Sequence, residues 1–168
     1  NAKIFDDIYS RFIKSKFNFQ NVVYEKKKLI MDVIMSSEVN TLGHYLNRLS
    51  EKNRHTRDFT LNSLTNALKE VIAFFPVYRT YIKPSEGTER DRKYIEIAVS
   101  KAKRKNPAMS ESVFDFLRDV LVLKYPENFK DADQREWLDF VMKFQQVSGP
   151  ITAKGLEDTT FYIYNRLV

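Results

Sequence analysis

The chain has 168 residues, enough for one domain or for a subdomain of something larger, and its 43% hydrophobic content, with 13 Phe and 9 Tyr, suffices for a packed core. Zero Cys excludes disulfides, thiolate zinc sites and cysteine nucleophiles. No apolar run reaches the length of a membrane span and no basic-then-apolar leader is present, so a cytoplasmic protein without a membrane partner is expected. The net charge is +6, carried in part by two basic runs: Lys26-Lys27-Lys28, and 101–105 with only Ala102 interrupting. A phosphate- or nucleic-acid-binding patch is one reading of these runs. The plainer one is a solvated helix end. The second run closes a helix that opens with Glu89 and Asp91, so its cations sit at the negative end of the helix dipole.

In chain order, Ile4, Phe5, Ile8 and Phe12 recur at helical spacing and predict a short amphipathic helix. A second, long helix is expected from about 22 to 50, with the stripe Leu29, Ile30, Val33, Ile34, Leu42, Tyr45, Leu46 and Leu49 facing inward. A third runs from about 60 to 75 with Leu61, Leu64, Leu68, Val71, Ile72 and Phe75 on one face, and Pro76 ends it. Residues 77–82 alternate and are rich in β-branched and aromatic types, which predicts a short strand. Pro84-Ser85-Glu86-Gly87 reads as a turn.

Thr88, with Asp91 three positions later, starts a fourth helix in the manner of a capping box. Ile95, Ala98, Val99 and Ala102 form its stripe, and Asn106-Pro107 stops it. A fifth, from about 110, carries Phe114, Leu117, Val120 and Leu121 and ends before Pro126. A sixth, from about 131, carries Trp137, Phe140, Val141 and Phe144. Gly149-Pro150 is expected to stop it, because Gly accepts unusual dihedrals and Pro donates no backbone hydrogen bond. A further helix starts within 160–168. The expectation is a mainly α fold of about six helices and one short strand, each helix burying one stripe and wetting the other.

The catalytic inventory is short. His44 and His55 are the two histidines, with no HExxH and no cluster of His with carboxylates, so a zinc site is not expected. There is no phosphate-cradling glycine loop and no serine in a strand-turn-helix elbow. What stands out lies after Gly149-Pro150. A cation (Lys154), a permissive backbone point (Gly155) and two adjacent carboxylates (Glu157, Asp158) fall within five positions. Neighbouring residues do not share a face in regular structure, but in a loop after Gly both can be aimed at one cavity. The bland alternative is a solvated charged turn. A second candidate is 75–82. Tyr78, Arg79 and Tyr81 suit sugar binding, since rings stack on pyranose faces and Arg donates to hydroxyls. In a regular strand Tyr78 points away from Arg79 and Tyr81. The competing expectation packs one face in the core and pairs Arg79 with Asp58 or Glu70.

These motifs, taken in order, resemble a known family. The tail Gly149-Pro150-Ile151-Thr152-Ala153-Lys154-Gly155-Leu156-Glu157-Asp158-Thr159-Thr160-Phe161-Tyr162 is similar to the GPxxAKGxEDTxFY segment of maltooligosyl trehalose synthases, members of the α-amylase superfamily. Upstream, Ser37-Glu38-Val39-Asn40-Thr41-Leu42 matches in order. So do Arg57-Asp58-Phe59-Thr60-Leu61-Asn62-Ser63-Leu64, Phe75-Pro76-Val77-Tyr78-Arg79-Thr80-Tyr81-Ile82 and Phe114-Asp115-Phe116-Leu117-Arg118-Asp119. The resemblance covers the chain from about Ile8 onward. Family members are several times longer, and this chain begins with Asn, so it is expected to be an internal piece. It would be a helical insertion over 1–148, with 149–168 returning into a (β/α)8 barrel.

The resemblance implies a glucosylmutase. It converts the reducing-end α-1,4 link of a malto-oligosaccharide into an α,α-1,1 link, without cofactor or metal. Glycoside chemistry needs two carboxylates flanking the bond. Amylase-like enzymes add a third that holds hydroxyls and stabilises the oxocarbenium-like transition state. Asp158 is the position that matches it. The familiar amylase pattern has His before this Asp, and here Glu157 stands there. Lys154, Glu157, Tyr78 and Arg79 are the expected substrate-binding residues. The family's nucleophile Asp and acid Glu would lie upstream, in the remainder of the enzyme's own chain, so the piece is not expected to catalyse alone. The alternative from another class is a basic, all-α interaction or nucleic-acid-binding module, which the +6 charge and paired aromatics permit.

Overall fold

The computed structural model describes residues 2–14, 18–83, 88–127 and 129–164. Helices α1 (Ala2–Phe12), α2 (Phe19–Val33), α3 (Ser36–Glu51), α4 (Leu61–Ala73), α5 (Glu89–Lys105), α6 (Glu111–Leu121) and α7 (Asp131–Gly155) are followed by a π-helical turn (Leu156–Thr160) and a short α8 (Phe161–Ile163). The fold is mainly α, as the periodicity predicts. Helix α4 is central. It packs on α2, α3, α5 and α6, while α7 lies across α2 and α3. Among the described residues, no helix is long and apolar enough to cross a membrane.

Local chemistry starts most helices where expected. Thr60 accepts from the Ser63 N–H at the start of α4, and Thr88 and Asp91 close a reciprocal capping box on α5. The predicted stripes of α4, α5, α6 and α7 form the core, with Leu64, Leu68, Ile72, Val99, Phe114, Leu117, Phe140 and Phe144 nearly or fully buried. Trp137 anchors an aromatic cluster with Phe116, Tyr125 and Phe129. Helix α6 ends with Leu123 at φ 55°, where the Lys124 N–H donates to Asp119 O and the Leu123 N–H to Val120 O. That is a Schellman end built on Leu where Gly is usual.

One buried acid ties three helices together. Glu70 on α4, 4% exposed, accepts from Tyr24 and Lys28 of α2 and from Asn106 at the end of α5. Burial alone would raise its pKa. The bonds donated by Lys28, Asn106 and Tyr24 outweigh that and leave it below the ordinary glutamate value. Glu70 is therefore engaged with Lys28, and Arg79 pairs with neither Glu70 nor Asp58.

Several expectations need correction. The long helix over 22–50 is two helices, broken at Ile34 and Met35. The Met35 N–H reaches back to Ile30 O, and Met35 swings into the core at 9% exposure. Leu29, Val33 and Ile34, expected inside, are exposed. On α2 the buried face is instead Tyr24, Lys27, Ile30 and Met31. The stripe of α1 is helical as predicted, but Ile4, Ile8 and Phe12 also face solvent.

Residues 77–82 do not form a strand. No second strand lies beside them among the described residues. The Gln145 side chain serves in its place, accepting from the Ile82 N–H at 2.7 Å and donating to Ile82 O at 3.3 Å. Nor does Gly149-Pro150 stop the sixth helix. Helix α7 runs on to Gly155, so the 148/149 division falls inside it. An interior proline costs about 3 kcal/mol in an isolated helix. Here Ile151, Thr152 and Gly155 are buried beyond it, and α7 packs along α2, so tertiary packing overrides the local signal. The turn expected over 84–87 lies outside the described residues. The helix expected within 160–168 begins as α8, and 165–168 lie outside the described residues.

Candidate functional site

The end of α7 and the π turn place the tail residues. At this junction the backbone widens from i−4 to i−5 bonding, and the Phe161 N–H reaches Leu156 O. Two threonine hydroxyls take up carbonyls that the widening releases. Thr159 Oγ1 donates to Lys154 O at 2.8 Å, and Thr160 Oγ1 to Gly155 O at 2.7 Å. Thr160 is fully buried and pins the turn, while Glu157 and Asp158 are exposed at its outer side. The expected loop after Gly155 is thus a helical turn. Consecutive side chains diverge on it, so the two carboxylates do not converge as a loop would have allowed.

One of them has a definite partner. The Tyr78 hydroxyl donates to Glu157 Oε1, joining 75–82 to the π turn across 79 positions of sequence. The Glu157 carboxylate holds the Tyr78 phenol above its usual pKa. Tyr78, Arg79 and Tyr81 are all exposed, so the predicted alternation around Tyr78 does not hold. Arg79 lies over the Tyr81 ring, its Cζ 4.4 Å from the centroid. The segment is held from below: Thr80 and Ile82 are buried, and the Tyr81 N–H donates to Asp91 Oδ1 at 3.3 Å. Of the five predicted residues, the structure joins Tyr78 to Glu157. It leaves Asp158 exposed one position along. Lys154 is half-buried and forms no ion pair with either carboxylate.

A cavity of about 490 Å³ adjoins this corner. Pro76 and Leu156 form part of its wall, and Phe19, Tyr24, Lys27 and Thr152 line it further in. Lys27 is 2% exposed, and its Nζ donates to Phe75 O at 2.9 Å. Burial pushes its ammonium down to about 8. It forms no ion pair among the described residues. Thr152 is 4% exposed, and its Oγ1 has no hydrogen-bond partner among the described residues. Lys27 stands in the basic run 26–28 and Thr152 in the tail segment, but neither is among the expected site residues. The spacing did carry a signal for Lys27, which sits three after Tyr24 and four before Met31, on the buried face of α2.

A hollow of similar size, about 480 Å³, lies at the end of α3 beside Lys52, Asn53, His55 and Phe129 and holds none of the candidate residues. His44 is exposed on α3. Among the described residues, no group of three or more His, Asp or Glu is placed to hold a metal ion. In the basic run of α5, Lys103 is paired with Asp115 and Glu111.

Comparison of the chain with known protein families, with curated proteins and with solved structures finds no match to any of them.

Proposed function

We propose that this chain is the helical part of a glucosylmutase of the maltooligosyl trehalose synthase type. In this reading the complete enzyme, a (β/α)8-barrel protein, turns the reducing-end α-1,4 link of a malto-oligosaccharide into an α,α-1,1 link by intramolecular transglycosylation. The observation that supports it is the Tyr78–Glu157 hydrogen bond. Two segments that each resemble the family, 75–82 and 149–162, meet at one exposed corner with Asp158 beside them.

The mechanism proposed is retaining. A nucleophilic Asp and an acidic Glu, both supplied by the rest of the enzyme's own chain, form and resolve a glycosyl intermediate. The freed glucose turns over in a closed pocket and attacks through its anomeric hydroxyl, so water must be kept out. Asp158 is the third carboxylate. It holds sugar hydroxyls and stabilises positive charge at the anomeric carbon. Glu157, oriented by Tyr78, and Lys154 and Arg79 contact the sugar. The helical body covers the reaction site. No cofactor, metal, nucleic acid or membrane takes part, and the protein works in the cytoplasm.

The test compares this chain with the longer polypeptide on malto-oligosaccharides, measuring trehalose-end formation and glucose release. The longer protein is expected to form the α,α-1,1 link while this chain alone does not. Turnover by the isolated chain above a buffer blank would overturn the proposal.

A further inference from the structure

We propose that the cavity beside the first turn of α2 binds a small anionic ligand, a carboxylate or phosphate carried on a body near monosaccharide size, with Lys27 as its charge partner and Thr152 as a hydroxyl contact. Three independent features converge on it. The first is a buried cation without an anion. An ammonium has three donors, and Lys27 spends one on Phe75 O. Among the described residues, no Asp or Glu lines the cavity. The carboxylate that Tyr24 reaches, Glu70, already takes bonds from Lys28 and Asn106. Burying an unpaired charge is costly, so a site that keeps one is built for a counter-charge.

The second feature is Thr152, which lines the cavity and whose hydroxyl, itself sealed from solvent, has no partner among the described residues; a turn about its Cα–Cβ bond would bring it to a ligand oxygen. A buried hydroxyl left unpaired costs free energy that a ligand oxygen would recover. The third is the N-terminal end of α2. Phe19, Gln20 and Asn21, its first three residues, line the cavity. First-turn N–H groups have no intrahelical acceptor, and the dipole there favours negative charge. Asn18 caps one of these, the Asn21 N–H. Lys101 adds a second cation at the exposed side of the cavity.

The walls set the size of the ligand. Phe19, Phe74 and Phe75 supply apolar surface around the polar centre. A volume of about 490 Å³ falls in the range of small-molecule sites. A bare inorganic anion would leave most of it unfilled, so an anion attached to a small organic body fits better. The proposal stands apart from the carbohydrate reading, because it needs none of Asp158, Glu157 or Tyr78.

The experiment is calorimetric titration of the purified protein, near neutral pH and at low salt, with inorganic phosphate, glucose 6-phosphate, gluconate and uncharged glucose. One equivalent of at least one organic anion is expected to bind, more tightly than phosphate, and glucose is expected to give no heat. A preference for glucose 6-phosphate or for gluconate tells phosphate from carboxylate. Lys27→Met should weaken binding at least ~10-fold, the loss of a charge-assisted contact. Thr152→Val should weaken it several-fold with helicity unchanged in far-ultraviolet dichroism, and it carries the test if Lys27→Met fails to fold. No anion binding tighter than about 10 mM would overturn the proposal. So would equal binding of glucose, or an anion affinity that Thr152→Val and a folded Lys27→Met both leave intact.

Discussion

Gly155 rests against the backbone of Lys27: a methyl group added there would sit 2.8 Å from Lys27 Cγ and 3.1 Å from both its Cα and N. Its dihedrals, φ −69° and ψ −40°, are ordinary helical values, so glycine is needed for space and not for conformation. Gly155→Ala is expected to destabilise the protein by about 1–3 kcal/mol, since overpacking against backbone finds no flexible atom to move. Gly149, six positions earlier on the same helix, has no atom from elsewhere in the fold within 4 Å of such a methyl, but Pro150 follows it directly. Gly149→Ala gains about 0.5–1 kcal/mol of helix propensity and gives part of it back to crowding against the Pro150 ring, so it is expected to change stability less than Gly155→Ala does. Urea denaturation of both variants checks the difference in size.

Lys27 makes stability depend on alkaline pH. Its ammonium titrates at about 8 when folded, against 10.5 for the ordinary group. The unfolded chain thus binds more protons between these values, and stability rises with pH across that window. The penalty is fully present below about 8 and gone above 10.5. Its size is on the order of 3 kcal/mol, at about 1.4 kcal/mol per pH unit. Other groups titrate there too, so the informative quantity is the difference from Lys27→Met, measured without added anions. Wild type should gain on the variant as pH rises from 7 to 10. A constant difference would mean that Lys27 is not buried in its charged form.

Glu70 has the opposite sign. Its folded pKa lies below the ordinary 4.5, so its contribution is complete above that value and is lost as pH falls through the folded one. Glu70→Gln keeps the shape but gives up the carboxylate that Lys28, Tyr24 and Asn106 share. A loss of about 1–2 kcal/mol is expected at neutral pH, discounted because Lys28 is partly exposed. The gap between wild type and variant should shrink below pH 4.5 in acid-denaturation curves.

The helical stripes were legible where burial and periodicity agree. Leu64, Leu68, Val71 and Ile72 on α4 and Trp137, Phe140, Val141 and Phe144 on α7 are buried as their spacing requires. Two breaks were misread for opposite reasons. At Ile34 and Met35 no Gly or Pro announces the bend, and the core position of Met35 decides it. At Gly149-Pro150 the local signal is strong, but packing of Ile151 and Gly155 carries the helix through. Residues 77–82 look like a strand because Thr80 and Ile82 face inward. A strand needs a partner backbone, and here Gln145 from 63 positions away supplies the bonds to Ile82. The Tyr78–Glu157 contact was invisible for the same cause, since spacing alone carries no information across 79 residues.

The corner formed by Tyr78, Glu157 and Asp158 yields the sharpest test of the proposed function, to be measured in the longer enzyme that this proposal implies. Asp158→Asn is nearly isosteric and removes an exposed charge, so stability should change little. If Asp158 stabilises charge that develops at the anomeric carbon, kcat should fall by about 10²–10³ with KM little altered, because that interaction strengthens only in the transition state. Tyr78→Phe removes the hydroxyl that holds Glu157. It should act through the same carboxylate as Glu157→Gln, so the double variant should cost no more than the worse single one. Both should raise KM more than they lower kcat, the pattern of a residue that binds sugar equally in ground and transition states. The two exposed carboxylates are one position apart, and these kinetics separate them. A Glu157→Gln enzyme without turnover, beside an Asp158→Asn enzyme that keeps most of its kcat, would transfer the stabilising role to the carboxylate that Tyr78 holds.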